Sequence, residues 1–290
     1  MSNSDHIQRI LFDEIDVRGV IARVEESYAE VLARADYPPV IRRILGEMLA
    51  AVSLLSSNLK FEGRLSLQAQ GEGNLRILMA ECSHHQDLRA IARYEGALAE
   101  APFNELLVNG RLALTIEPEG GQRYQGVVPL EKPSLAECLE DYFRQSEQLS
   151  TSIHLAADSQ KAVGLLLQVL PAAGTGVDDW ERISALASTL KDSELIELDN
   201  ETVLYRLFHQ EKCRLYEPES LRFQCDCSRT RSAEALQMMT EEELLQLADE
   251  HDGVLEVSCH FCNELYRFDK ADIQALFSNG GPLDQPDQIH

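Results

Sequence analysis

The sequence predicts an α+β fold in three parts: a mostly antiparallel-sheet N-terminal domain with helices, a helical linker, and a small C-terminal domain pinned by cysteines. Three observations predict it. Apolar residues recur every second position through the middle of the chain and every third or fourth elsewhere. The run Pro171-Ala172-Ala173-Gly174-Thr175-Gly176 interrupts both periods and marks a boundary. Four of the seven cysteines crowd into two tight pairs near the end, Cys225-x-Cys227 and Cys259-x-x-Cys262. With 290 residues, 44% of them hydrophobic and 26% charged, the chain suits about two globular domains.

In chain order, Val17 to Arg23 reads as a strand and Val24 to Ala33 as a helix that ends before Tyr37-Pro38-Pro39. A second helix begins near Val40, where Ile41, Ile44, Leu45, Met48, Leu49, Val52 and Leu55 line one buried face. From Arg64 the period becomes two, predicting a hairpin that turns at Gly71-Glu72-Gly73-Asn74. A strand from Leu88 to Tyr94 and a second hairpin from Leu112 to Val128 extend an antiparallel sheet. Ser134 to Gln145 is helical, with Cys138 in phase with Leu135, Leu139 and Tyr142 as a small buried hydrophobe. Strands Ser152 to Ala157 and Val163 to Leu170 complete the domain, residues 1–178.

Residues 179–224 differ in character. Asp179 can cap a helix striped with Trp180, Ile183, Leu186, Ala187 and Leu190, and Asn200 another carrying Val203, Leu204, Leu207 and Phe208. Helices of about 12 residues are marginal alone in water, so both hold only while packed, which makes this linker a candidate conditional element. In residues 225–290, Ser228 to Ser232 reads as a polar loop and Leu236 to Glu250 as an acidic helix with a Thr240/Glu243 capping box. Val254 to Ser258 is a strand delivering Cys259, Tyr266-Arg267-Phe268 continues it, and Asp269 to Leu276 forms a last helix. Asn279 to His290 reads as a frayed tail. This domain has too few apolar residues for a core of its own and is expected to be unfolded, or nearly so, without metal.

The two pairs, Cys225 with Cys227 and Cys259 with Cys262, can present four thiolates to one Zn²⁺ per chain in a closed tetrahedral site. Cys213 reads as an incidental thiol, and His84, His85, His209, His251 and His260 as exposed or structural histidines. The net charge of -23 is uneven, with 24 acidic and 10 basic residues from Asp179 onward. A nucleic-acid module needs the opposite sign, so DNA and RNA are excluded as partners. The amino terminus lacks a signal peptide pattern and no apolar window is long enough to span a bilayer, so no membrane partner and a cytoplasmic location are expected. In a reducing compartment paired cysteines bind metal or do redox chemistry rather than form structural disulfides. No nucleophile elbow, phosphate loop or dinucleotide fingerprint is present, so no catalytic residue is assigned.

The chain resembles a known family, the bacterial redox-regulated heat-shock holdase called the thirty-three-kilodalton chaperonin. The resemblance is carried by Val17-Arg18-Gly19, Tyr37-Pro38-Pro39, Leu59-Lys60-Phe61-Glu62-Gly63, Tyr124-Gln125-Gly126-Val127-Val128-Pro129-Leu130, Ser146-Glu147-Gln148, Phe223-Gln224-Cys225-Asp226-Cys227-Ser228 and Cys259-x-x-Cys262-Asn263. It implies an ATP-independent chaperone, inactive while reduced and zinc-bound, that binds unfolding client proteins under oxidative and heat stress. It further implies that oxidation links Cys225 with Cys227 and Cys259 with Cys262, expels zinc, unfolds the linker and yields an active homodimer. Val163-Gly164-Leu165-Leu166, where Gly-Gly is the family's expected start of the strand, and His260 depart from the pattern without touching the four cysteines.

Two readings from other classes compete with a redox-switched chaperone. Cys259-x-x-Cys262 could serve a thiol-disulfide oxidoreductase, though it lacks the strand-then-helix setting of that motif. The chain could instead be a zinc-stabilised protein-interaction module without a switch.

Overall fold

A computed structural model describes residues 4–57, 62–170 and 177–278. The Leu59-Lys60-Phe61 stretch, the Pro171 to Gly176 break and the Asn279 to His290 tail lie outside the described residues. The chain divides into two compact units, Met1–Gln224 and Cys225–His290. Both mix helices with antiparallel strands, the α+β class the periodicities predict.

The first unit opens with strands β1 (His6–Phe12) and β2 (Val17–Val24) and helices α1 (Glu26–Leu32) and α2 (Pro39–Ser56). Then come β3 (Gly63–Gln70), β4 (Leu75–Ser83), β5 (Asp87–Tyr94), α3 (Phe103–Leu106), β6 (Arg111–Pro118) and β7 (Tyr124–Pro129). Helix α4 (Leu135–Tyr142) runs into a π-helical turn, Phe143–Glu147, and leads to β8 (Thr151–Ala157) and β9 (Ala162–Val169). Helices α5 (Val177–Ala187), α6 (Asp192–Glu197) and α7 (Asn200–Phe208) follow, then short strands β10 (Cys213–Leu215), β11 (Glu219–Ser220) and β12 (Arg222–Phe223).

One sheet has the order β10-β1-β2-β9-β8, with β11 also on β1; the other has the order β12-β5-β4-β3-β6-β7. Every described pairing in them is antiparallel except β12 on β5. Helix α2 packs between the sheets and is buried nearly all round, with Ala50, Ala51, Ser53 and Leu54 covered as well as the predicted stripe. The expected single buried face is thus two, because a helix packed between sheets keeps only a narrow solvent edge, here at Arg42 and Arg43. Two glycines set how closely it lies on the first sheet. A Cβ on Gly46 would fall 2.7 Å from the Ala157 Cβ, and one on Gly164 of β9 would fall 2.7 Å from Leu54 Cδ1, separations that real Cβ atoms do not tolerate.

Helices α5, α6 and α7 cover the far face of the same sheet. Along β9 the side chains alternate: Ala162 and Leu166 join the α2 layer, while Val163, Leu165 and Leu167 join a second layer with Ile10, Phe12, Val17 and Ile21. A strand buried on both faces reads as an unbroken apolar run, and Ala162 to Leu167 is one. Into the second layer the helices insert Ile183, Ala187, Leu195, Val203, Leu204, Leu207 and Phe208. The caps differ from expectation. Asp199, not Asn200, caps α7 by accepting from the Thr202 N–H, and Asp179 lies inside α5, where it pairs with Arg182. Asn200 is used elsewhere: its side chain meets Arg23, Gln8 and His6 of the sheet. The Arg23 guanidinium also donates to the carbonyls of Leu195, Ile196 and Leu198, tying the α6–α7 corner to β2.

The second unit holds α8 (Arg229–Leu236), α9 (Glu241–Glu250), the hairpin β13 (Val254–Ser258) and β14 (Leu265–Asp269), and α10 (Lys270–Ser278). Three expectations need correction. Ser228 to Ser232 is not a loop: the Ser228 hydroxyl accepts from the Arg231 N–H and starts α8, as Ser at an N-cap commonly does. Tyr266 to Phe268 does not continue β13 but pairs back on it, Val257 opposite Tyr266 and Leu255 opposite Phe268. The unit does have a core, made of Ala233, Leu244, Ala248, Leu255, Phe268, Ile273 and Leu276. Each helix and strand contributes only one or two of these residues, so no single element looked apolar enough.

Candidate metal centre

The four paired cysteines converge in the second unit. Cys225 and Cys227 lie on the extended segment before α8, and Cys259 to Cys262 form the loop between β13 and β14. In that loop the Cys259 N–H donates to the Glu264 carbonyl at 2.8 Å and the Asn263 N–H to the Cys259 carbonyl at 2.9 Å. Asn263 takes φ 62°, a left-handed conformation that Asn accepts more readily than most residues. It turns the chain just past Cys262, ahead of β14.

All four Sγ atoms lie within 4.8 Å of one another. Cys225 Sγ is 3.6 Å from Cys259 Sγ, and Cys227 Sγ is 3.3 Å from Cys262 Sγ. Both contacts run between the two pairs, as a shared ion would require. Ligation at about 2.3 Å places tetrahedral sulfurs roughly 3.8 Å apart, so the observed spacing fits one ion. A disulfide closes at about 2.05 Å, so neither contact is a bond. His260, within the second pair, is exposed; elsewhere His85, His209 and His251 are exposed too, whereas His84 Nδ1 accepts from the Gly63 N–H at 3.0 Å. Among the described residues no histidine joins the sulfur cluster.

Backbone donors favour the thiolate form at the cluster. Burial pushes the Cys259 thiol up, but the N–H groups of Cys262 and Phe261 and the neighbouring sulfurs outweigh it, leaving Cys259 below the ordinary thiol value. Burial raises Cys225 and Cys262, opposed by the N–H groups of Cys227 and Glu264 respectively. Four soft donors, three of them already supplied with backbone N–H partners, suit a thiophilic cation such as Zn²⁺. The other cysteines are placed differently. Cys82 and Cys138 are buried, and burial pushes the Cys82 thiol up to about 12. Cys213 lies on β10 against the linker layer.

Two neighbours were not anticipated. The Tyr266 hydroxyl donates to Cys227 Sγ at 3.2 Å. The signal was present, because Tyr266 and Phe268 fall on one face of a period-two strand. Arg229 stacks over the Phe268 ring with its guanidinium carbon 4.4 Å from the centroid, donating also to the Arg267 carbonyl at 3.0 Å and to Asp272 at 2.7 Å. This clamp joins the start of α8, two residues past Cys227, to the unit's core.

A first test follows from the convergence. Cys259→Ser is expected to lose most of the bound metal measured by atomic emission on reduced protein, whereas Cys82→Ser keeps full stoichiometry. Retention of one tight ion by the Cys259 variant would contradict a four-thiolate site.

The sequence profile of the family described as Hsp33 protein matches residues 5–269. The chain is 51% identical over 288 residues to the 33 kDa chaperonin of Azotobacter vinelandii, covering 97% of each chain. It is 48% identical over 288 residues to that of Pseudomonas aeruginosa, again covering 97% of each. Its fold is similar to the crystal structure of the 33 kDa chaperonin of Thermotoga maritima, with TM-score 0.80 and 25% identity over 93% of this chain and 97% of that one.

Proposed function

Because the chain belongs to the Hsp33 family of chaperones, we propose that it is a redox-regulated, ATP-independent holdase whose four-cysteine cluster is the switch. The observation that carries this reading is the convergence of Cys225, Cys227, Cys259 and Cys262 within 4.8 Å. The proposed organisation is a client-binding and dimerisation domain at 1–178, a metastable linker at 179–224 and a zinc redox domain at 225–290. The partners are unfolding proteins and, in the active form, a second copy of the chain, and the setting is the cytoplasm. Among the described residues no helix is long and apolar enough to cross a membrane.

In the reduced state Cys225, Cys227, Cys259 and Cys262 would hold one Zn²⁺, which would join two distant segments and keep the sulfurs deprotonated. Thiolates are the nucleophilic form that peroxide attacks. Each pair then gives two electrons to one peroxide; an S–S bond forms, the O–O bond breaks and two hydroxides leave. Sulfurs tied up in two disulfides could not ligate an ion, so Cys225 and Cys259 would lose that link. The strain reaches the linker because Cys225 is two residues past β12, where the Gln224 N–H donates to the Leu88 carbonyl at 3.1 Å. The Cys225–Cys227 bond closes across one residue; extended backbone sets those Cα atoms about 6.6 Å apart, near the limit for a bridge, so it should be readily reduced again.

The test is a parallel measurement of zinc release, disulfide content and suppression of client aggregation after peroxide at raised temperature. Mapping is expected to find Cys225 joined to Cys227 and Cys259 to Cys262. Once the segments part, only thiols a few residues apart stay close. Dominant Cys227–Cys262 cross-links, or activity with the ion still bound, would reject this mechanism. The second outcome would favour the plain zinc-stabilised interaction module.

A further inference from the structure

Between α7 and the first cysteine, the segment from Lys212 to Leu221 lies along the outer edge of β1 for that strand's full length. The Asp13 N–H donates to the Lys212 carbonyl at 2.8 Å, the Tyr216 N–H to the Arg9 carbonyl at 2.9 Å and the Leu221 N–H to the Asp5 carbonyl at 3.0 Å. Pairing is antiparallel, with Phe12 opposite Cys213, Ile10 opposite Leu215, Ile7 opposite Glu219 and His6 opposite Ser220. Cys213 and Leu215 pack into the apolar layer beside Ile10 and Phe12, while Arg214 between them is exposed. The segment thus occupies β1 as a short apolar-polar-apolar strand.

The two partners are held unequally. β1 pairs with β2 from His6 to Leu11, and its Ile7, Ile10 and Phe12 are 1–3% exposed. The strap pairs in two short pieces separated by Tyr216-Glu217-Pro218, and Tyr216 is 48% exposed. Its ion pairs, Arg214 with Asp13, Arg9 with Glu219 and Lys212 with Glu14, join largely exposed groups, and such pairs contribute little. When the strap leaves, β1 becomes an edge strand with a row of orphaned N–H and C=O groups above an apolar layer. Such an edge is a template for another chain.

We propose that the β1 edge is a strand-addition site for extended segments of unfolding proteins, which take the place of Lys212 to Leu221 and set apolar residues where Cys213 and Leu215 lie. This rests on the redox-switch reading above, because it needs the linker to leave. Backbone pairing is indifferent to sequence, and alternate side-chain pockets ask only for apolar groups at every second position. An unfolding protein meets both conditions, and a folded one, whose strands are already paired, does not.

The test uses the peroxide-activated full-length protein and two fluorescent ten-residue peptides with identical alternating apolar and polar side chains. One carries N-methyl groups on alternate backbone nitrogens, which remove one row of donors and leave the side chains unchanged. The unmodified peptide is expected to bind at least tenfold more tightly by anisotropy. Amide-resolved hydrogen exchange is expected to show the Leu11 and Asp13 amides, which face the vacated edge, exposed in the activated protein and protected with the peptide. Equal binding of both peptides by a protein that releases zinc and suppresses aggregation would overturn strand addition while leaving the redox switch intact. Failure to release zinc or suppress aggregation would overturn both. Protection of Asp13 without peptide, rising with protein concentration, would assign the edge to a second copy and overturn the client assignment.

Discussion

Ile183→Asp is expected to give a protein that suppresses client aggregation while still reduced and with all four cysteines in place. Ile183 on α5 is 0% exposed, packed in the layer that α5–α7 share with β1, β2 and β9. Truncating such a residue costs about 2–5 kcal/mol, and a buried carboxylate without a partner adds several more. Helix α5 has 11 residues and its free-standing helicity in water is marginal, so it cannot absorb that loss and should leave the sheet. Leu186, in the same apolar stripe, is only partly buried and would give a weaker effect. The chain's single tryptophan, Trp180, packs partly buried in the same layer, so release should shift its emission to the red. A variant that opens to protease between Ser184 and Asp199, yet is as inactive as the reduced parent, would remove the linker from the switch.

The first unit's middle was legible because its signals are local. The β3–β4 and β6–β7 hairpins carry period-two apolar residues bounded by glycine turns, and β9 is apolar without a break from Ala162 to Leu167. What could not be read depends on partners distant in sequence. β1 contains Gln8 and Arg9 between its apolar residues and has no turn signal, so it resembles a solvated terminus until β2 and the strap flank it. β10, β11 and β12 have three, two and two residues, too few for any period. Asn200 looked like a cap because Asn caps helices well, but its amide is taken by Arg23 and Gln8, far away in sequence. At the cluster the spacing picked out the four sulfurs that converge, since each pair is local. Tyr266 and Arg229 were missed because their roles arise only when β14 folds back on β13.

Stripping the metal from reduced protein with a chelator is expected to unfold the second unit and leave the first intact. Residues 225–290 carry 14 acidic and 4 basic side chains, a repulsion that the small core of Ala233, Leu244, Ala248, Leu255, Phe268, Ile273 and Leu276 must overcome. A chain of this size buries too little surface to be more than marginally stable without help. Structural Zn²⁺ at four thiolates supplies about 10–16 kcal/mol of apparent binding free energy at neutral pH, more than the total stability of many domains. The ion would hold the Cys225–Cys227 segment against the β13–β14 loop, beside the Arg229 clamp and the Tyr266–Cys227 hydrogen bond, so its loss would remove a main link between them. Hydrogen exchange should then show the amides of Leu244, Leu255 and Phe268 losing protection together, while those of Leu49, Ile21 and Leu166 keep theirs. Protection should return when zinc is restored under reducing conditions. Persistent protection of Leu255 and Phe268 in metal-free protein would mean that the apolar core alone holds the unit, and that the loss of metal on oxidation cannot by itself destabilise it.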